Sequence, residues 1–119
     1  SEEDESSLDY FYFPKYLPVD FQVVEEVSDK EFYYIRFENQ DQYFYISQGS
    51  SLSAKQKRID TENSDVERIE IDGHQGFYAV TEGRQLVYLD MGNLLITIYG
   101  NIEKQELIRM ARNLEFLEK

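Results

Sequence analysis

The chain contains no cysteine. Disulfides, thiol nucleophiles and cysteine metal sites are excluded, while the compartment stays open, since many exported domains also lack cysteine. Tryptophan is absent, and there is one histidine, His74. A Ser-His-Asp arrangement has to use that residue, and no G-x-S-x-G accompanies it. Basic residues are scarce, 12 against 24 acidic ones, for a formal net charge of -12. Nucleic acid and anionic membrane surfaces both demand a cationic footprint, so neither is expected as a partner. The plain consequence of the charge is solubility. No apolar run approaches the roughly 20 residues that span a bilayer, and no signal peptide is visible.

What is present fits one α+β domain. A length of 119 residues suits a single core without disulfides or metals. Hydrophobic residues make up 41% and charged residues 30%, a globular composition. Ten Tyr and eight Phe raise the aromatic share to 15%, which favours strands. Residues 1–9 carry Glu2, Glu3, Asp4, Glu5 and Asp9 among serines. This stretch reads as a flexible linker or tether remnant, with any leader or anchor expected upstream. Residues 10–119 read as the folded domain. Pro14 and Pro18 bracket "YFPKYLP", so a helix there is short at best.

Strand signals follow in series. "FQVVEEV" (Phe21 to Val27), "EFYYIRFE" (Glu31 to Glu38) and "YFYISQ" (Tyr43 to Gln48) come first. Period two puts Tyr33, Ile35 and Phe37 on one face, and Phe44 and Ile46 likewise, with Tyr43 and Tyr45 opposite. Residues Gly49 to Asp65 show no period and read as a long loop. "VERIEID", "FYAVTE", "QLVYLDM" and "LLITIYG" then run with short turns between them. Asp72-Gly73 is a strong hairpin signal, and Gly92-Asn93 another turn. Consecutive antiparallel neighbours give a meander of about six to seven strands. The last strand is the most apolar and is expected at the centre.

A helix is expected over about Lys104 to Leu117. Glu103 takes the N-cap with Glu106 three residues on, an imperfect capping box because Glu is a poor cap. Ile102 and Leu107 suit a hydrophobic staple. Leu107, Met110, Ala111, Leu114 and Leu117 form one apolar stripe, whose partner is one face of the sheet.

Candidate chemistry is sparse. His74 falls in a hairpin turn, where a solvated side chain is the ordinary outcome. Asp60 to Asp65, "DTENSD", is oxygen-rich in the manner of Ca²⁺ loops but departs from the EF-hand spacing. No spacing identifies a glycosidase carboxylate pair. No cofactor is implied. The aromatic clusters are the most suggestive feature. The face turned from the helix offers Tyr33 or Tyr34, with Tyr43 and Tyr45, to a partner; the alternative is a structural face covered by the long loop or the N-terminal segment.

Several stretches together resemble one uncharacterised bacterial family. They are "YFPKYLPVDF", the glycine-hinged hairpin "IEIDGHQGFYAV", and the ending "LVYLDMGNLLITIYGNIEKQELIRMARNL". The family is a domain of unknown function found in Firmicute lipoproteins and as the C-terminal ectodomain of anti-sigma-factor-like membrane proteins. The resemblance runs from about Tyr10 to Leu117. Tyr88 stands where members often carry Trp, a departure that matters if the ring stacks on a ligand. The resemblance implies an extracytoplasmic location in a Gram-positive bacterium, with membrane attachment only through an upstream anchor, and no catalytic residues. The resulting expectation is a non-enzymatic domain that binds a protein or cell-envelope component. Alternatives are a carrier of an apolar ligand in a sheet–helix groove and, below that, a small hydrolase.

Overall fold

A computed structural model describes residues 10–18, 20–28, 31–50, 65–92 and 94–118. The elements run β1 (Tyr10–Pro14), β2 (Gln22–Ser28), β3 (Phe32–Glu38), β4 (Tyr43–Ser50), β5 (Asp65–Ile71), β6 (His74–Thr81), β7 (Arg84–Asp90), β8 (Leu94–Gly100), α1 (Lys104–Arg112) and β9 (Leu114–Glu118). Strands β2 to β8 form one antiparallel sheet in the order β2-β3-β4-β8-β7-β6-β5. It consists of two meanders, β2 to β4 and β5 to β8, joined where β4 pairs with β8 in the register Ile46↔Ile98. The expected central place of "LLITIYG" is therefore observed, and the reason is burial. Leu94, Leu95, Ile96 and Ile98 are all buried, so this strand needs a neighbour on each side and cover over its face.

Tight turns set the meander. Asp72 and Gly73 both adopt positive φ, 53° and 83°, the backbone of a two-residue hairpin turn. Gly100 serves differently. It pairs with Phe44 and Gln85, and a Cβ there would lie 2.2 Å from the Tyr43 carbonyl oxygen.

One sheet face carries Tyr33, Ile35, Phe37, Phe44, Ile46, Val87, Leu89, Ile96 and Ile98, all buried in a common core. Two lids close it. α1 packs Leu107, Met110 and Ala111 over β7 and β8. Ile102, just before the helix, is buried beside Leu107, as a hydrophobic staple requires. Glu103 is the N-cap but makes no side-chain cap bond. The second lid is a two-stranded ribbon of β1 and β9, with Tyr12 opposite Phe116. Phe11 meets Tyr33 at 4.8 Å between ring centroids, and Phe13 meets Phe37 at 6.2 Å.

The ribbon corrects two expectations. The helix ends at Arg112 rather than near Leu117. Asn113 caps it by donating Nδ2–H to the Arg109 carbonyl at 2.7 Å, and Lys15 N–H donates to the Asn113 carbonyl at 2.7 Å. Leu114 and Leu117 are spaced like helix-stripe residues but lie in β9, opposite Pro14 and Phe11 of β1. The "YFYFP" segment is a strand for the same reason. Residues 1–9, assigned above to a linker, and 51–64, the body of the long loop, lie outside the described residues.

Candidate functional site

Directly paired residues in antiparallel strands share a face, so the registers assign the second face of the sheet. Arg36, Tyr45, Tyr99 and Leu86 form one row across β3, β4, β8 and β7. Tyr34, Ser47, Thr97, Tyr88, Phe77 and Arg68 form the next, ending on β5. No described helix or strand packs over this side; α1 and the ribbon both occupy the other.

The aromatic rings on this face are in contact. Tyr34 and Tyr45 lie 5.2 Å apart between centroids, and Tyr45 and Tyr99 also 5.2 Å. Phe77 stacks on Tyr88 at 5.0 Å with planes 17° apart. Such pairs contribute about 0.5–1.5 kcal/mol each beyond area burial. At the rim, Tyr43 lies between two arginines. The Arg36 guanidinium sits 4.4 Å above its ring, and Arg84 donates its Nε–H to the Tyr43 hydroxyl. Arg36 also donates to Glu38 at 2.7 Å, which fixes the guanidinium over the ring and raises its pKa. Burial raises the pKa of Tyr45, Tyr88 and Tyr99, so all three phenols are neutral at physiological pH. The face therefore offers half-buried neutral phenols and two oriented cations, suited to stacking and hydrogen bonding.

Tyr34, Tyr43, Tyr45 and Tyr88 are brought together on this surface. Tyr33 is not. It is 4% exposed on the core face, its hydroxyl donating to Glu26. Period two already aligns Tyr33 with Ile35 and Phe37, and that alternation decides against it as a surface residue. Tyr99, Phe77, Arg36 and Arg84 were missed. Tyr99 was legible in principle, since period two sets it against Ile96 and Ile98.

The other candidates remain separate. His74 opens β6, opposite Ile71, and its side chain takes part in no hydrogen bond or ion pair among the described residues. Most of "DTENSD" lies outside them, and among the described residues no three His, Cys, Asp or Glu side chains gather in a metal-binding group. Two surface hollows are lined by described residues. One, of about 510 Å³, lies on the outer side of α1 by Ile108 and Arg112. The other lies at the β2 edge. Neither opens between sheet and helix, where Leu89, Ile98, Leu107 and Met110 are fully buried. No described helix is long and apolar enough to cross a membrane.

With this fold in place, the match to a family model is decisive: residues 12–114 fit the domain of unknown function DUF4367. The chain belongs to the DUF4367 family. The matched region takes in the whole seven-stranded sheet and α1 of this DUF4367 domain. A comparison with curated proteins finds no match.

Proposed function

We propose that this DUF4367 domain is a non-enzymatic binding module that engages a protein or cell-envelope component through the second face of its sheet. The observation that carries the reading is the continuous tyrosine array. Tyr34, Tyr45 and Tyr99 touch in sequence, with Arg36 and Arg84 held at the rim on Tyr43. Tyrosine and arginine are the side chains most enriched at interface centres. The first sheet face is closed by α1 and the ribbon, and no described helix or strand lies over the second.

The family resemblance supports an extracytoplasmic setting. On it, the domain belongs to a membrane-tethered protein or lipoprotein of a Gram-positive bacterium, with a sensory or regulatory role like that of an anti-sigma ectodomain. The five acidic residues among the first nine have the composition of a tether.

The test is retention of the purified domain on cell-envelope material from the source cells. Tyr34→Ser combined with Tyr88→Ser removes one ring from the Tyr34–Tyr45 contact and one from the Phe77–Tyr88 stack, and leaves the core face untouched. The reading expects wild type to be retained and the double variant to lose about tenfold or more of that affinity while keeping its fold. Equal retention of both, or a turnover activity abolished by one point substitution, overturns it.

A further inference from the structure

The β2 edge of the sheet is built unlike the rest. Its outer side pairs with no strand among the described residues, so the outward N–H and C=O groups of β2 are free to accept another chain. Six consecutive residues, Gln22 to Val27, are exposed. Three of them are valines, Val23 at 49%, Val24 at 52% and Val27 at 43% exposure. The opposite edge differs: β5 buries Ile71 and exposes one large apolar side chain, Val66.

Charge gives this edge a direction. Glu25 and Glu26 are exposed on β2 itself. At its N-terminal end a hollow of about 870 Å³ is lined by Asp20, Glu38 and Asp41, with Val24 on its wall. A bulge produces that placement. Val23 pairs with Phe37 and Glu25 with Arg36, which leaves Val24 as the extra residue. Glu38 is engaged by Arg36, and Glu26 by the Tyr33 hydroxyl. No ion pair reaches Asp20, Glu25 or Asp41 among the described residues.

We propose that β2 is a strand-addition site for an extended, lysine- or arginine-bearing segment of a partner protein. The partner's backbone completes the ladder on the free edge, its apolar side chains cover the valines, and a cationic side chain enters the acidic hollow. The centred pairing of a second copy of this chain is disfavoured. Antiparallel pairing of two β2 strands about their middle sets Glu25 and Glu26 against the same residues, and like charges directly opposite destabilise a sheet. The acids thus disfavour that self-pairing and select a cationic strand. This edge is distinct from the tyrosine face, so the two proposals fail or stand separately.

The test uses the ¹⁵N-labelled domain and three synthetic probes. They are the blocked peptide Lys-Val-Lys-Val-Lys-Val-Lys, its analogue with Glu for Lys, and the lysine peptide N-methylated at alternate residues. The lysine peptide is expected to shift the amides of Gln22–Ser28 and slow their hydrogen exchange. It should bind roughly tenfold or more tightly than the glutamate peptide at low salt, a preference that salt erodes. The N-methylated form should lose binding, because it cannot complete the ladder. Asp41→Lys with Glu25→Lys should narrow or reverse the preference, the unchanged amide spectrum of β6 to β8 reporting an intact fold. Equal binding of the two charge forms, undiminished binding of the N-methylated peptide, shifts centred on β5 or the tyrosine face, or no shifts at millimolar peptide would each overturn the proposal.

Discussion

The side-chain amide of Gln48 makes two hydrogen bonds to the backbone of Tyr12. Its Nε2–H donates to the Tyr12 carbonyl at 2.8 Å, and its Oε1 accepts from the Tyr12 N–H at 2.7 Å. Gln48 is 1% exposed in an otherwise apolar core. It acts as a ladder partner projecting from the sheet face, tying β1 and its ribbon across β4. Gln48→Leu keeps the volume but strands two backbone groups, and each buried unsatisfied group costs about 1–3 kcal/mol. Denaturant unfolding should show a loss of about 2–4 kcal/mol, with hydrogen exchange in β1 and β9 accelerating first.

The helix and the ribbon should differ in their response to a buried charge. Leu107 is fully buried under α1, so Leu107→Ala is expected to cost about 2–5 kcal/mol. Leu107→Asp should prevent folding. Leu114 is only partly buried at the start of β9. Leu114→Asp should loosen the ribbon yet leave the seven-stranded sheet folded, as circular dichroism and ¹⁵N spectra of β3 to β8 can verify. Had the helix run on to Leu117, the same substitution would unfold the domain.

Gly100 has no room for a side chain. Its Cβ would meet the Tyr43 carbonyl oxygen at 2.2 Å and the Phe44 Cα at 2.7 Å, both on the rigid backbone side of β4. Gly100→Ala should therefore destabilise by about 1–3 kcal/mol, although alanine ordinarily improves on glycine in a strand. A thermal melt equal to wild type would refute the close approach of β4 to β8.

Alkaline pH should weaken the fold. Burial raises the pKa of Tyr45, Tyr88 and Tyr99. Tyr33 is raised by burial first, then by its hydrogen bond to Glu26 and that carboxylate's charge. Unfolded tyrosine titrates near 10. Above that value the unfolded chain releases protons that the native state retains, so stability falls as pH rises. The contribution is fully present below about pH 10 and is lost progressively above it. Denaturation midpoints from pH 8 to 12, read with phenolate absorbance, should fall along this course. Tyr33→Phe should flatten it. All ten tyrosines titrating together near 10 in a folded chain would contradict it.

The sheet was legible because its signals are local. Asp72-Gly73 sets a hairpin by backbone chemistry alone, and "LLITIYG" announces its central place by being apolar on successive residues. Ile102 and Leu107 marked the helix start. The helix end was not legible, because Leu114 and Leu117 continue the apolar spacing, and only pairing with β1, remote in sequence, recruits them to a strand. "YFYFP" is aromatic at nearly every position and shows no period that distinguishes its faces. On the second face, alternation set Tyr43 and Tyr45 opposite Phe44 and Ile46, while Tyr33 and Tyr34 stood as alternatives. Joining them to Tyr99, and Tyr88 to Phe77, depends on cross-strand register, which a single sequence does not encode locally.

The claim that the tyrosine face is the working surface is tested most directly by footprinting. The domain is nitrated on tyrosine with and without bound cell-envelope material, and modification is read residue by residue. The account predicts protection of Tyr34, Tyr43, Tyr88 and Tyr99, with Tyr16, which donates to Glu106 on the α1 side, modified equally in both states. Protection of Tyr16 with Tyr34, Tyr43, Tyr88 and Tyr99 unchanged would place binding on the helix side and contradict the account.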